Sequence, residues 1–208
     1  RYWQHNGFLS IDQTKMSKSL GNVQLVHNLI KSVPGEAIRL ALLSAHYRQP
    51  LDWSGETVAS ARRMLDRLYG AIRGIEVSPE AREAAVVPQA LIDALEDDLN
   101  TPKALAELFV LARALNKAND PQEMEALAAQ LLAAGELMGL LTSDPESWFA
   151  GDADGSLSAG EIETLINERN AAKAEKDFKL ADSIRDQLNE AGITIQDSRD
   201  GTTWRRSG

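Results

Sequence analysis

The sequence predicts a mainly α-helical fold, and three observations carry that expectation. Of its 208 residues 43% are hydrophobic but only 5% aromatic, apolar side chains recur at three- and four-residue steps through the middle, and strand-like patterns are confined to the two ends. Apolar residues at that spacing share one helix face, which must be covered by another helix. The predicted organisation is a small mixed α/β segment over 1–54 and a helical bundle over 55–141, followed by a linker over 142–155 and a two-helix plus β-hairpin mini-domain over 156–208.

The elements follow in chain order. Gly7 to Ile11 reads as a short strand, and a polar loop runs from Asp12 through Lys15-Met16-Ser17-Lys18-Ser19 to Gly21-Asn22. Val26, Leu29 and Ile30 suggest a helix, and Pro34, at a first-turn position, opens another through Ala37, Ile38, Ala41, Leu42 and Ala45. The stretch Arg48 to Gly55 breaks the period and marks a boundary. Val58, Ala61, Leu65, Leu68 and Ile72 then form one helical face, and Pro79 and Pro88 bracket a loop. A short helix through Leu91, Ile92 and Leu95 leads to Asp97-Asp98-Leu99-Asn100-Thr101-Pro102, where Thr101 is the expected cap of a helix beginning at Pro102. That helix carries Leu105, Leu108, Leu111, Ala112 and Leu115; the last of the bundle carries Met124, Leu127, Leu131, Leu137 and Leu141, with Gly135 and Gly139 as weak points.

Thr142 to Gly155 is rich in Ser, Asp, Gly and Pro, the composition of a linker, so the unit after it is expected to move relative to the bundle. Ser158 and Glu161 fit a capping box for a helix through Ile162, Leu165, Ile166 and Arg169. Asp177 caps a second through Ala181, Ile184 and Leu188, which Gly192 ends. Ile193-Thr194-Ile195 and Thr202-Thr203-Trp204 bracket a turn in the pattern of a hairpin, with Trp204 expected in the small core. Asp152, Asp154 and Glu161 sit at calcium-loop spacing around Gly155, but the first ligand position is Ala150, so a capped helix after a polar linker is the preferred reading.

Composition narrows the chemistry. With no cysteine, disulfides, thiol catalysis and Cys-based zinc sites are all excluded. A net charge of −9 argues against a general coat for nucleic acid, so any RNA contact must be local. No apolar run approaches the roughly 20 residues of a membrane span. The absence of cysteine is compatible with a reducing cytoplasm, where the protein is expected, as a monomer. The start at Arg1-Tyr2-Trp3-Gln4-His5 has no initiator Met and reads as internal to a longer protein.

The pentapeptide Lys15-Met16-Ser17-Lys18-Ser19, followed by Leu20-Gly21-Asn22, is the most specific signal. It resembles the KMSKS signature of class I aminoacyl-tRNA synthetases. Lysine ammonium groups on a mobile loop can meet the negative charge that builds on phosphate oxygens as pyrophosphate leaves ATP. Tyr2 to Gly7, Ser44-Ala45-His46-Tyr47-Arg48, Asp97 to Pro102 and Gly201 to Arg206 narrow the likeness to cysteinyl-tRNA synthetases over essentially the whole chain.

That resemblance implies roles by position. Residues 1–54 would be a stem-contact segment, 55–141 a bundle of the DALR type, and 156–208 an anticodon-binding domain. Lys15 and Lys18 would be catalytic and bind ATP with Ser17 and Ser19, and Asp182, Asp197, Phe178, Lys173, Arg199 and Arg205 would meet the anticodon of tRNA(Cys). Phe178 stands where relatives can have Trp and Lys173 where they can have Arg; stacking survives the first change, bidentate recognition not the second. Glu36-Ala37-Ile38-Arg39 only approximates the DALR tetrapeptide. ATP with magnesium, cysteine and a zinc ion would be handled by the full enzyme, the zinc ligands lying upstream of Arg1 with the HIGH-type motif. No metal is expected on this chain, whose His5, His27 and His46 have no zinc spacing, and alone it is expected to be inactive. Two alternatives remain: a ligase of the same lineage that joins cysteine to an amino sugar in thiol biosynthesis, and a non-catalytic RNA-binding helical protein.

Overall fold

The computed structural model describes residues 3–150, 159–174, 177–198 and 201–206, which divide between two compact units, Arg1–Thr142 and Ser143–Gly208. The chain is mostly helical, as its apolar periodicity predicts.

The first unit opens with a three-stranded sheet. Strands β1 (Leu9–Ile11) and β2 (Thr14–Lys15) form an antiparallel hairpin, and β3 (Leu51–Trp53) joins β1 in parallel, pairing Ser10 with Asp52. Between β2 and β3 run a 3₁₀ turn (Lys18–Leu20), α1 (Val26–Leu29) and α2 (Gly35–Leu43). The polar loop of the sequence reading is therefore partly structured, and the boundary stretch after Arg48 contains a strand. A strand of three residues is too short to show alternation, and it forms because β1 offers backbone partners. Pro34 caps α2 from outside instead of lying in its first turn, and α1 buries none of its residues.

The bundle consists of α3 (Gly55–Ile72), α4 (Pro79–Ala84), α5 (Gln89–Glu96), α6 (Thr101–Leu115) and α7 (Pro121–Leu137). Its apolar stripes meet in a core that includes Leu40 and Ala41 of α2, Leu65 and Leu68 of α3, Leu91 of α5, Leu108 of α6 and Leu131 of α7. Each such leucine contributes about 2 kcal/mol by leaving water. Helix α4 lies where a loop was expected: Ser78 accepts from the Ala81 amide while its own amide and hydroxyl donate to Glu125 Oε1, at 3.0 and 2.6 Å. The cap of α6 is Asn100, whose side chain accepts from the Lys103 amide at 3.2 Å, and Thr101 is already helical. Gly135 is a site of close packing, since a Cβ there would lie 2.9 Å from Leu141 Cδ1 and 3.0 Å from the Leu140 carbonyl oxygen. Glu36 ties three elements together by accepting from the Tyr69 hydroxyl at 2.6 Å and from the Thr142 amide at 2.9 Å.

The second unit comprises α8 (Pro145–Ala150), α9 (Ala159–Ala174) and α10 (Phe178–Glu190), with an antiparallel hairpin of β4 (Ile193–Ser198) and β5 (Gly201–Arg206). Its core is Ile162, Ile166, Ile184, Leu188, Ile193 and Trp204. Asp177 caps α10 by accepting from the Leu180 amide at 3.1 Å. The stretch read as a linker thus carries a helix whose Phe149 is buried. The proposed capping residue Ser158, and Asp152, Asp154 and Gly155 of the calcium-loop spacing, lie outside the described residues.

Candidate functional site

Lys15 and Lys18 are carried by a loop closed on itself by neutral groups. The Asn22 amide side chain does most of this, its oxygen accepting from the Ser17 amide at 2.9 Å and its nitrogen donating to the Lys15 carbonyl at 3.3 Å. Ser17 Oγ caps the 3₁₀ turn by accepting from the Leu20 amide at 3.3 Å and lies 3.2 Å from Ser19 Oγ. Gly21 closes the turn at φ 66°, a conformation that costs glycine little. Both serines thus meet partners inside the loop, while the ammonium groups project from it. Lys15 Nζ lies 4.6 Å from the centre of the Phe8 ring, and Lys18 is exposed. Among the described residues neither lysine pairs with a carboxylate.

A second cluster joins two of the stretches that carried the family resemblance. Asp98 accepts from the Tyr47 hydroxyl at 2.6 Å and from Arg48 Nε and Nη2 at 2.7 and 3.2 Å. The Arg48 guanidinium, then the Tyr47 hydroxyl, hold its carboxyl down at about 2, and the same bond pushes the tyrosine hydroxyl up. His46 stacks on Tyr47 at 4.8 Å between ring centres. Asp98 and Leu99 both take positive φ, 52° and 54°, so this turn is held by its bonds against an unfavourable backbone. The Tyr47 carbonyl in turn accepts from the Gly7 amide at 2.6 Å, and a Cβ at Gly7 would collide with the Gln49 carbonyl oxygen.

In the second unit the expected anticodon residues divide. Asp197 and Lys173 are brought together with Arg169 and Thr202. One carboxylate oxygen of Asp197 accepts from Arg169 Nη1 at 3.0 Å and Thr202 Oγ1 at 2.8 Å; the other accepts from Arg169 Nη2 at 2.9 Å and Lys173 Nζ at 2.7 Å. Arg169, then Lys173 and Thr202, hold this carboxyl well below the usual range. A carboxylate offers about four acceptor positions, and these bonds fill them. The carboxylate expected to accept from a base thus accepts here from four donors of its own unit. Arg169 is the residue the sequence reading missed: its side chain is 7% exposed, and it follows Ile162 and Ile166 on the apolar face of α9. A charge at a core position of an otherwise apolar stripe was the available signal.

Phe178 and Asp182 stand one turn apart on α10, which puts them on one face. Phe178 is 64% exposed, and Asp182, also exposed, meets Arg185 at 3.3 Å. Arg205 lies in β5 with its side chain outside the described set, and Arg199 lies outside the described residues. Among the described residues no group of three or more His, Asp or Glu could hold a metal ion, and no helix is long and apolar enough to cross a membrane.

Comparison with known proteins matches the chain to three family models in succession. Residues 1–63 match the class I (C) tRNA synthetase catalytic domain, 90–142 the DALR domain, and 156–205 the cysteinyl-tRNA ligase anticodon binding domain. A cysteine–tRNA ligase of Parvibaculum lavamentivorans is 56% identical over 207 residues, covering 99% of this chain and 44% of that protein. Those of Rhodospirillum rubrum and Xanthomonas campestris pv. campestris are 50% and 49% identical, each covering 100% of this chain and 45% and 44% of the relative. The chain thus spans less than half the length of these relatives.

Proposed function

The chain belongs to the cysteine–tRNA ligase family, corresponding to its carboxy-terminal part, and from that premise we propose that it supplies the ATP-closing loop and the tRNA-gripping domains of an enzyme that activates cysteine and transfers it to tRNA(Cys). The observation that carries the proposal is the loop itself, in which two lysines project from a turn closed by neutral side chains, with no described carboxylate to neutralise them. In the activation step the cysteine carboxylate attacks the α-phosphorus of ATP and pyrophosphate leaves. Charge accumulates on the bridging and leaving oxygens, where mobile ammonium groups are worth most. Magnesium, when bound with ATP, would add to this neutralisation. Zinc finds no ligand set among the described residues, and none of its ligands is assigned to this chain.

At the other end Phe178 is assigned to stack on an unpaired anticodon base, and Asp182, Lys173, Arg199 and Arg205 to meet base edges or phosphates. Asp197 is given a different part: it holds Lys173 and Arg169 in place. The division into a stem-contact segment, DALR-type bundle, linker and anticodon domain belongs to the same reading, as do a cytoplasmic location and a monomeric state. The match of residues 156–205 to an anticodon-binding model disfavours the amino-sugar ligase alternative.

The test is Lys18→Ala in the full-length enzyme. Cysteine-dependent exchange of pyrophosphate into ATP should fall about 100-fold, the scale of one lost transition-state charge contact. Unchanged exchange would remove Lys18 from the mechanism.

A further inference from the structure

The hairpin that leads into the lysine loop is built on an unfavourable backbone. Asp12 and Gln13, the two residues between β1 and β2, take φ of 47° and 65°. A two-residue turn with both φ positive normally uses Asn-Gly or Asp-Gly, because only glycine takes the second position without crowding its Cβ. Gln13 has no such freedom. A turn of this kind persists only where its surroundings over-determine it.

Two neighbouring residues of β3 supply those surroundings: the Trp53 carbonyl accepts from the Asp12 amide in a long bond of 3.4 Å, and the Asp52 carboxylate, 39 residues further along the chain, reaches Gln13. The parallel register of β1 and β3 sets Asp52 beside Ser10. From there Asp52 Oδ1 accepts from the Ser10 hydroxyl at 2.6 Å and from the Gln13 amide at 2.8 Å. The first bond fixes the strand before the turn; the second reaches the strained residue itself. The Ser10 hydroxyl, then the Gln13 amide, draw the Asp52 carboxyl below its ordinary value, as expected of an acceptor used in its charged form. Thr14 and Lys15 follow Gln13 directly, and the Met16 amide returns to the Leu9 carbonyl at 3.2 Å. The direction in which Lys15 leaves the sheet is therefore set by a turn that Asp52 holds.

We propose that Asp52 is a positioning residue for the lysine loop, clamping the left-handed Asp12-Gln13 turn and so fixing where the loop starts and which way it faces. The consequence for ATP rests on the function proposed above. The clamp itself does not, and can be read on this chain without ATP.

The experiment is amide hydrogen exchange of the 208-residue chain, with trypsin cleavage after Lys15 and Lys18 as a second readout. Asp52→Ala should speed exchange over residues 13–19 by about tenfold, the scale of losing a hydrogen bond to a charged acceptor, with α5 to α7 unaffected. Adding Gln13→Gly should reverse that rise, because glycine holds the turn without the clamp. Loss of mere packing would not be rescued in this way. Unchanged exchange in Asp52→Ala, or a rise that Gln13→Gly leaves in place, would overturn the proposal. If Asp52→Ala loses the sheet altogether, Asp52→Asn carries the same test at smaller amplitude, with the same two outcomes against it. In the full-length enzyme Asp52→Ala should lower kcat for pyrophosphate exchange more than it raises KM for ATP, since a misdirected loop loses transition-state contacts first. Failure of the ATP reading would show separately, as a Lys18→Ala variant with normal pyrophosphate exchange and an intact clamp.

Discussion

Lys18, in the turn that follows one short hairpin, and Asp197, in a strand of another, are both charged side chains, and their surroundings are opposite. Lys18 is exposed and meets no carboxylate among the described residues, on a loop whose bonds are made by Asn22, Ser17 and backbone. Asp197 accepts from a bidentate guanidinium, an ammonium and a hydroxyl. A group whose partner appears only in a transition state gains by having no competing partner in the resting protein. A group that shapes a reading surface gains by being fixed before the ligand arrives. The same contrast separates the proposed chemistry of the two ends.

The two residues should differ most in what they contribute to stability. Asp197→Ala leaves the buried Arg169 guanidinium facing Thr202 and Lys173, and should destabilise the second unit by about 2–4 kcal/mol; the half-exposed carboxylate keeps this below the full cost of an unpaired buried charge. Lys18→Ala should change stability by less than about 0.5 kcal/mol, as for an exposed side chain with no ion pair among the described residues. Denaturant unfolding of both variants checks the pair, and equal effects would remove the distinction. A smaller effect is expected in binding. Phe178→Ala should weaken the chain's affinity for an anticodon stem-loop RNA by about 1–3 kcal/mol without moving the unfolding midpoint, because the ring is exposed and free to stack. Normal affinity in a titration would send the stacking role elsewhere.

Asp98 stands between the two, exposed like Lys18 and yet bonded like Asp197. Its folded carboxyl is lowered from 3.8 to about 2, so the stability it contributes is fully present above the unfolded value and lost as pH falls through the folded one. Proton exchange in the turns at Tyr47 and Asp98, corrected for intrinsic rates, should therefore show constant protection from pH 7 down to about 4 and lose it toward about pH 2. Protection already lost at pH 5 would count against an ionised Asp98 as the tie.

The long elements were legible because they repeat. Helices α3, α6, α7 and α10 show their buried faces in Leu65 and Leu68, Leu105 and Leu108, Leu131, and Ile184 and Leu188. What escaped was short or depended on a distant partner. β3 and α4 are three and six residues long and form against β1 and Glu125, which no local pattern reveals. Helix α8 lay hidden in a polar composition because a single buried residue, Phe149, anchors it. Thr101 and Asn100 are both competent caps, and the choice between them follows from the left-handed turn at Asp98 and Leu99 just before. At the candidate sites the lysine loop was visible as a motif. The ties on Asp197 were not, since a carboxylate in a strand gives no sign that a buried arginine 28 residues earlier faces it.

In the proposed function the two ends divide the work, the loop acting in the chemistry and the Asp197 cluster in tRNA recognition. The most direct measurement is pyrophosphate exchange and aminoacylation on one preparation of full-length Asp197→Ala, at a temperature where it stays folded. Exchange should stay within about twofold of the parent enzyme while kcat/KM for aminoacylation falls roughly ten- to a hundredfold, because only tRNA use passes through the disturbed surface. An equal fall in both activities, or unimpaired aminoacylation, would contradict that division.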